Sequence, residues 1–377
     1  MRALELDAIL GAMLQSYDGI SDLNFSVGRP LQVEAFGALK PIQVEPAIES
    51  LTPYQTEQIA LNLLGNNRRL ITHLLENGSC DCGYQIEGAR FRVNVFRQQG
   101  QYAIVMRKLQ SKVPTLESLS LPPIFETMSR EKNGLILVTG ATGSGKTTTL
   151  AAILDKINQT QPVHVVTLED PIEYVHNHAL ATFNQRELGS DFDSYANGLR
   201  AALRQAPKVI LVGEMRDRST VEIALTAAET GHLVLSTIHT INAGQSINRI
   251  LGLFENSEEE LIRQRLAETL RFVVSQRLAP KVGGGRHLLL EIMGSNLRTQ
   301  EAIALGETEA RSFYDIISDS QTFGWTTFDQ HIIKSYEADL ITEQTALTYA
   351  TRRGIVQREI DLINKTRDRT MDKSSGL

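Results

Sequence analysis

The spacing of apolar positions changes repeatedly along the chain. Near the start, Leu6, Ile9, Leu10, Met13 and Leu14 recur at helical intervals and predict an amphipathic helix over residues 4–14. Residues 23–42 alternate instead. Leu23, Phe25 and Val27, then Leu31, Val33 and Ala35, predict a hairpin or small sheet punctuated by Asp18-Gly19 and Gly28-Arg29-Pro30. Thr52-Pro53-Tyr54-Gln55 predicts a second helix start, with a threonine cap, a proline at the first position and a glutamine where a capping box needs it. Residues 83–96 and 101–109 read as strands joined by Gln98-Gln99-Gly100. Residues 1–110 are therefore expected to form a small α+β module with an antiparallel sheet.

Residues 111–133 carry few periodic apolar positions. Val113-Pro114-Thr115 and Leu121-Pro122-Pro123 predict a stiff, extended interdomain linker without helix. From Gly134 the spacing changes again, to continuous apolar runs at Leu135–Thr139, His164–Leu168, Val209–Val212 and Leu233–Thr237. Helical segments separate them, the pattern of a parallel sheet covered on both faces. Ser219-Thr-Val-Glu222 reads as a capping box, and Gly231 as a helix stop. Another helix is expected from Ser257 to about Leu278, then a loop over Lys281–Arg286 and the apolar Leu288–Met293. Short helices follow to about Lys365. The expected division is residues 134–365 as an α/β domain with C-terminal helices, and 366–377 as a disordered polar tail.

Composition narrows the classes. The chain has 377 residues, 42% hydrophobic and 22% charged, an ordinarily globular composition with enough apolar residues for a sizeable core. A net charge of −6 supplies no global basic field for nucleic acid or an anionic membrane. No run of 18 apolar residues occurs and the start lacks a signal pattern, so any membrane role is expected to be peripheral. Cys80 and Cys82, the two cysteines, point the same way on one predicted strand and sit poorly for a disulfide. No second pair completes a zinc site, and reduced thiols fit a cytoplasmic compartment.

The candidate chemistry begins at the first apolar run. Gly134–Thr139 leads into Gly140-Ala-Thr142-Gly143-Ser144-Gly145-Lys146-Thr147-Thr148, which matches G-x-x-x-x-G-K-[ST] between a strand and a helix. The glycines let successive N–H groups face a phosphate, and the helix adds its positive end. Lys146 would reach the β- and γ-phosphates of ATP, and Thr147 would offer its hydroxyl to Mg2+. Two acidic sites follow. Val212-Gly213-Glu214 ends a buried strand with a carboxylate placed to orient or deprotonate water. Glu169-Asp170-Pro171-Ile172-Glu173 ends another, with Glu169 a Mg2+ candidate and Asp170 and Glu173 available to brace the loop. His232 and His239 flank the run Leu233–Ile238. His239 is placed to sense the γ-phosphate, His232 to contact a neighbouring subunit, and local packing is the alternative for each.

Four segments in this order carry a resemblance: residues 140–149 (Gly-Ala-Thr-Gly-Ser-Gly-Lys-Thr-Thr-Thr), 168–173 (Leu-Glu-Asp-Pro-Ile-Glu), 212–217 (Val-Gly-Glu-Met-Arg-Asp) and 230–240 (Thr-Gly-His-Leu-Val-Leu-Ser-Thr-Ile-His-Thr). They look like the Walker A, Asp box, Walker B and His box of the secretion ATPases. Ser21-Asp22-Leu23, Phe91-Arg92-Val93-Asn94, Val113-Pro-Thr-Leu116 and Asn184-Gln-Arg-Glu187 extend the similarity over roughly residues 5–345, towards the twitching-motility motors of the PilT family. The resemblance implies an N-terminal PAS-like α+β domain, a RecA-like P-loop ATPase domain and a homohexameric ring. It also implies ATP and Mg2+ as ligands and an inner-membrane pilus platform protein as partner. The setting would be cytoplasmic, at the inner membrane face. Arg92 and Arg107, by motif, would reach the triphosphate at a subunit interface, where a planar, permanently charged fork suits a γ-phosphate.

Three departures stand beside it. Gln205-Ala206-Pro207-Lys208 replaces the family's Glu-Asp-Pro-Asp, Leu297-Arg-Thr-Gln-Glu-Ala-Ile303 stands where a retraction motif is expected, and Asn24 follows Ser-Asp-Leu in place of a histidine. They admit an accessory paralogue of a main retraction motor, or an assembly subunit with negligible turnover. A type II/IV secretion or DNA-uptake ATPase shares the same boxes. A nucleic-acid translocase is the reading from another class, and the acidic balance argues against it. The absence of a four-cysteine zinc element favours retraction over extension.

Overall fold

The computed structural model describes residues 3–44, 47–109, 112–308 and 311–374. By contact density it divides into two units. The first comprises Met1–Val113, Leu168–Asn177 and Gln185–Gly198, and the second comprises Pro114–Thr167, His178–Asn184 and Leu199–Leu377.

In the first unit, α1 (Ala3–Gln15) precedes β1 (Ile20–Phe25), β2 (Gln32–Ala35) and β3 (Ala38–Pro41). Helices α2 (Pro53–Leu64) and α3 (Arg68–Asn77) lead to β4 (Ser79–Ile86), β5 (Ala89–Gln98) and β6 (Gln101–Lys108). The six strands form one antiparallel sheet in the order β3-β2-β1-β6-β5-β4. Leu6, Leu10 and Met13 of α1 are fully buried, as their spacing predicts. Thr52 and Gln55 form the expected capping box on α2. The single strand expected over residues 83–96 is instead parts of β4 and β5, because Glu87-Gly88 turns the chain with Gly88 at φ +78°. Strand alternation gives this sheet two characters. Phe91, Val93, Val95, Ile104 and Met106 enter the core together with Cys80 and Cys82. Arg90, Arg92 and Asn94 of β5 lie on the other face. Both thiols are free, and burial pushes Cys80 up to about 11 and Cys82 to about 12, which keeps them protonated.

The second unit opens with a correction to the linker. Helix α4 (Ile124–Arg130) follows Pro122-Pro123 directly. Proline lacks an N–H that a first turn would leave unpaired anyway, and the Pro122 and Pro123 carbonyls accept from Phe125 and Glu126. The second sheet contains β7 (Gly134–Thr139), β8 (His164–Glu169), β9 (Thr182–Glu187), β10 (Val209–Val212), β11 (Leu233–Ile238), β12 (Leu270–Pro280) and β13 (Arg286–Gly294), with Leu168–Glu169 of β8 and Gln185–Glu187 of β9 counted in the first unit. Their order is β13-β12-β7-β11-β10-β8-β9. Pairings β10–β11, β11–β7 and β7–β12 are parallel, and β12–β13 is antiparallel. Every residue of β7, β10 and β11 is buried, so both faces of the sheet centre are covered.

The helices are α5 (Lys146–Thr160), α6 (Tyr195–Ala202), α7 (Arg218–Glu229), α8 (Ala243–Leu251), α9 (Glu259–Thr269), α10 (Leu297–Leu305), α11 (Phe313–Ser318), α12 (Phe328–Glu337), α13 (Glu343–Tyr349) and α14 (Arg353–Ser374). Three differ from expectation. Asp217 caps α7, accepting from the Thr220 N–H at 2.9 Å, so the helix starts ahead of Ser219. Helix α9 stops at Thr269, and the β-favouring Phe272, Val273 and Val274 pair with β7 as strand. Helix α14 continues through Ser374, so the expected tail is helical that far, and residues 375–377 lie outside the described ones. Arg367 ties it down by donating to the Glu337 carbonyl at 2.8 Å and pairing with Asp339 at 2.9 Å.

Candidate functional site

In the second unit, β7 ends in the glycine-rich loop and α5 begins at Lys146. Gly140, Gly143 and Gly145 hold φ of +143°, +78° and +92°, backbone that side chains strain to adopt. A Cβ on Gly140 would stand 2.5 Å from Ser144 Oγ and 2.6 Å from the Gln276 carbonyl, so only glycine fits there. No side chain caps α5, leaving its first N–H groups aimed along the loop. Ser144 Oγ is buried without a partner, and Thr142 and Gly143 are exposed. Thr147 and Thr148, in the first turn of α5, are partly exposed. A loop of bent-back N–H groups, an orphan hydroxyl and an ammonium suits a phosphate chain.

Lys146 is buried, with Nζ donating to the carbonyls of Gly140 at 2.8 Å and Ala141 at 3.0 Å, and 3.5 Å from His239 Nδ1. The other ring nitrogen of His239, Nε2, lies 3.2 Å from Glu214 Oε2, which Arg216 also meets at 2.7 Å. Lysine, histidine and glutamate thus form one chain of contacts at the carboxyl ends of β7, β10 and β11. The parallel register explains why, since Thr139 pairs with Ile238 and Val212 with Ser236. Burial alone would raise the Glu214 carboxyl. The Arg216 hydrogen bond and the charges of His239 and Arg216 outweigh burial and hold it below the usual range. Glu214 is therefore ionised at neutral pH and can accept a proton or orient water.

The hairpin behind this loop was missed as a contributor in the sequence. Ser275 Oγ accepts from Thr139 Oγ1 at 3.0 Å, and Gln276 Nε2 donates to Thr149 at 2.7 Å. Only the pairing of β12 with β7 brings them there.

His232 is not among the residues at this end. It precedes β11, seven residues and about 20 Å of strand from His239. Its Nδ1 lies 3.0 Å from the Ala227 carbonyl and 3.3 Å from Thr230 Oγ1, at the end of α7. Gln205–Lys208 also sits at the amino end of the sheet. The Gln205 carbonyl is 3.0 Å from His164 Nδ1, and the Lys208 N–H donates to the His164 carbonyl at 2.8 Å.

The first unit holds the remaining candidates. Arg92 and Arg107 face each other across β5 and β6, both exposed. Arg107 Nε lies 3.0 Å from the buried Asp22, its partner across β1, and Arg92 is 3.9 Å from Asp81. Glu169 is buried, its Oε1 accepting from Gln185 Nε2 at 3.0 Å. The Asp170–Pro171 peptide that follows is cis.

The family described as type II/IV secretion system protein matches residues 76–321. The type IV pilus retraction ATPase PilT of Pseudomonas aeruginosa is 39% identical over 330 residues, covering 87% of this chain and 93% of that protein. The type IV pilus ATPase PilU of the same organism is 35% identical, covering 92% and 89%. A crystal structure of the pilus retraction motor PilT with bound ADP superposes with a TM-score of 0.82 at 40% identity, covering 95% and 99%. The fold is accordingly a RecA-like P-loop ATPase domain with a smaller N-terminal PAS-like α+β domain. The chain belongs to the type II/IV secretion system protein family and, within that secretion-ATPase superfamily, to the PilT-type twitching-motility ATPases.

Proposed function

We propose that the protein is a cytoplasmic, homohexameric ATPase that hydrolyses ATP at the inner face of the cytoplasmic membrane to drive type IV pilus retraction. The observation that carries hydrolysis is the contact chain Lys146–His239–Glu214, which joins a phosphate-binding ammonium to an ionised carboxylate through an imidazole. Gly140–Thr148 holds the phosphates, and Glu214 orients or deprotonates the attacking water. His239, touching both Lys146 and Glu214, registers whether the γ-phosphate is present. Mg2+ suits this oxygen-rich donor set and supplies charge neutralisation on the phosphates. Thr147, with Glu169 and Glu214 acting through water, would hold it. Arg107 and Arg92 complete the site from a neighbouring subunit, and His232 contacts a neighbour.

An assembly subunit with negligible turnover is less well supported. The altered Gln205–Lys208 segment lies about 20 Å of strand from Glu214, beyond a Debye length at physiological salt. The accessory-paralogue reading keeps a specific support, the similarity to PilU alongside PilT. Partners under the retraction reading are the platform protein of the pilus machine and, for an accessory motor, a paralogous ATPase. Deleting the gene and scoring motility and surface pili tests the role. Lost twitching with excess pili is the expected result. Lost pili would reassign the protein to assembly, and unchanged pili with impaired secretion or DNA uptake would move it to those systems.

A further inference from the structure

Beyond the bond from Gln185 to Glu169, the segment Asn184-Gln185-Arg186-Glu187 carries a buried carboxylate, Glu187, that accepts from three donors. Gln185 and Glu187 are two apart on β9 and face the same way. Glu187 is buried and accepts from Arg90 NH2 at 2.6 Å, from the Gly83 N–H at 2.8 Å and from the Ile172 N–H at 3.2 Å. Arg90 Nε in turn donates to the Ile172 carbonyl at 3.0 Å. One ion pair therefore grips both backbone groups of Ile172, three residues after Glu169. Gln185 holds Glu169 itself, donating to its Oε1 at 3.0 Å and to the Tyr174 carbonyl at 2.8 Å while accepting from the His176 N–H at 2.8 Å.

The other end of the cluster reaches the arginine pair. Gly83 is the cross-strand partner of Arg92, and Arg90 lies two residues before Arg92 on the same face of β5. A Cβ on Gly83 would stand 2.6 and 2.8 Å from the two Glu187 oxygens and 2.8 Å from Arg90 NH2. The sheet must therefore present a glycine for the carboxylate to dock. Burying an ion pair is costly unless every donor and acceptor is used, and it then fixes one geometry in preference to others.

We propose that Glu187, with Arg90 and Gly83, is a positioning cluster that makes Glu169 and Arg92 parts of a single rigid element, so that the acidic and arginine contributions to ATP turnover are set together. This rests on the reading of Glu169 and Arg92 as site residues. A clamp serving stability alone predicts variants that unfold more easily but turn over ATP normally. A positioning cluster predicts a loss in kcat with little change in KM, because the misplaced groups act on the transition state.

The test measures steady-state ATPase and thermal unfolding of the full-length protein carrying Glu187→Gln, Gly83→Ala, Arg90→Lys, Glu169→Ala or Arg92→Ala. Gly83→Ala displaces the carboxylate while leaving both charges in place, so it carries the test if Glu187→Gln folds poorly. We expect Glu187→Gln and Gly83→Ala each to lower kcat by roughly tenfold or more, with KM for ATP within about twofold of the parent. Arg90→Lys should not rescue, since a lysine cannot meet Glu187 and Ile172 as a fork does. Adding Glu187→Gln to a Glu169→Ala/Arg92→Ala double variant should slow the enzyme little further, because both groups it positions are already gone. If Glu169→Ala and Arg92→Ala are slow while Glu187→Gln and Gly83→Ala keep the parental kcat, or if the effects add fully, the proposal falls and the site reading stands. If Glu169→Ala and Arg92→Ala turn over normally, the site reading fails and takes the proposal with it.

Discussion

Glu214 and Glu291 are both carboxylates near the nucleotide loop's end of the second unit, and their surroundings push them in opposite directions. Glu214 is held ionised by Arg216 and His239. Replacing it with alanine should leave ATP binding intact and lower turnover by roughly 10^2–10^4-fold, as removal of a general base does. Parental ATPase rates in Glu214→Ala would sink the assignment. Lys146→Ala should instead lose nucleotide affinity, which titration of a fluorescent ATP analogue reads directly. Glu291 of β13 accepts from the Ala243 N–H at 2.9 Å, and burial raises it to about 7 despite that bond and despite Arg277 of β12. Asp329 of α12 raises it further, and the backbone of Phe328 lowers it. A carboxyl raised in the folded state binds more protons there than in the unfolded chain. Its contribution to stability is therefore greatest at low pH and is lost as pH rises from the ordinary glutamate range to about 7. Glu291→Gln should flatten that slope and match or exceed the parent at pH 8 by about 1–3 kcal/mol in urea unfolding.

At the level of single elements, caps decide where helices begin, and a spacing pattern alone can select the wrong one. Asp217 holds α7 through the Thr220 N–H and, at 2.8 Å, the Thr220 hydroxyl, although Ser219-Thr-Val-Glu222 carries the better-known pattern. Asp217→Ala should cost about 1 kcal/mol of unfolding free energy, whereas Ser219→Ala should be close to neutral. The reverse ranking would restore Ser219 as the cap. Helix α2 shows the pattern working, with Thr52 and Gln55 bonded reciprocally. The difference is competition, because Asp217, two residues upstream, caps the helix and leaves Ser219 inside its first turn. Strand β12 was read as helix for a different reason. Its charged Arg271 and polar Gln276 break up an apolar run whose place is set by pairing with β7 and β13.

For the whole protein, the readings to test concern assembly. If Lys146 acts with an arginine from a neighbouring subunit, two inactive variants should complement each other. Mixing Lys146→Ala with Arg107→Ala at equal amounts should restore roughly a quarter of the parental sites in a ring of randomly exchanged subunits. No recovery after verified subunit exchange would put the arginine and the lysine in the same subunit, or remove Arg107 from the site. ATPase activity per subunit should also rise with protein concentration until assembly is complete. Among the described residues no helix is long and apolar enough to cross a membrane.

The sequence by itself determined the nucleotide loop, the strand runs that frame it and the carboxylate and histidine at the ends of their own strands. Each is a local property: Gly140–Thr147 fixes its backbone through its glycines, and β7, β10 and β11 announce burial by being apolar throughout. Family resemblance added Arg92 and Arg107, which no local pattern distinguishes from surface strand arginines. Only the tertiary structure decided which ends meet. It put His239 between Lys146 and Glu214, set His232 at the far end of β11, and brought Ser275 and Gln276 behind the loop through a strand that reads as helix. It also gave Glu187 its three donors from Gly83, Arg90 and Ile172, the first of them 104 residues away along the chain. Such contacts come from long-range pairing of buried polar groups, and apolar periodicity carries no record of which polar group each will meet.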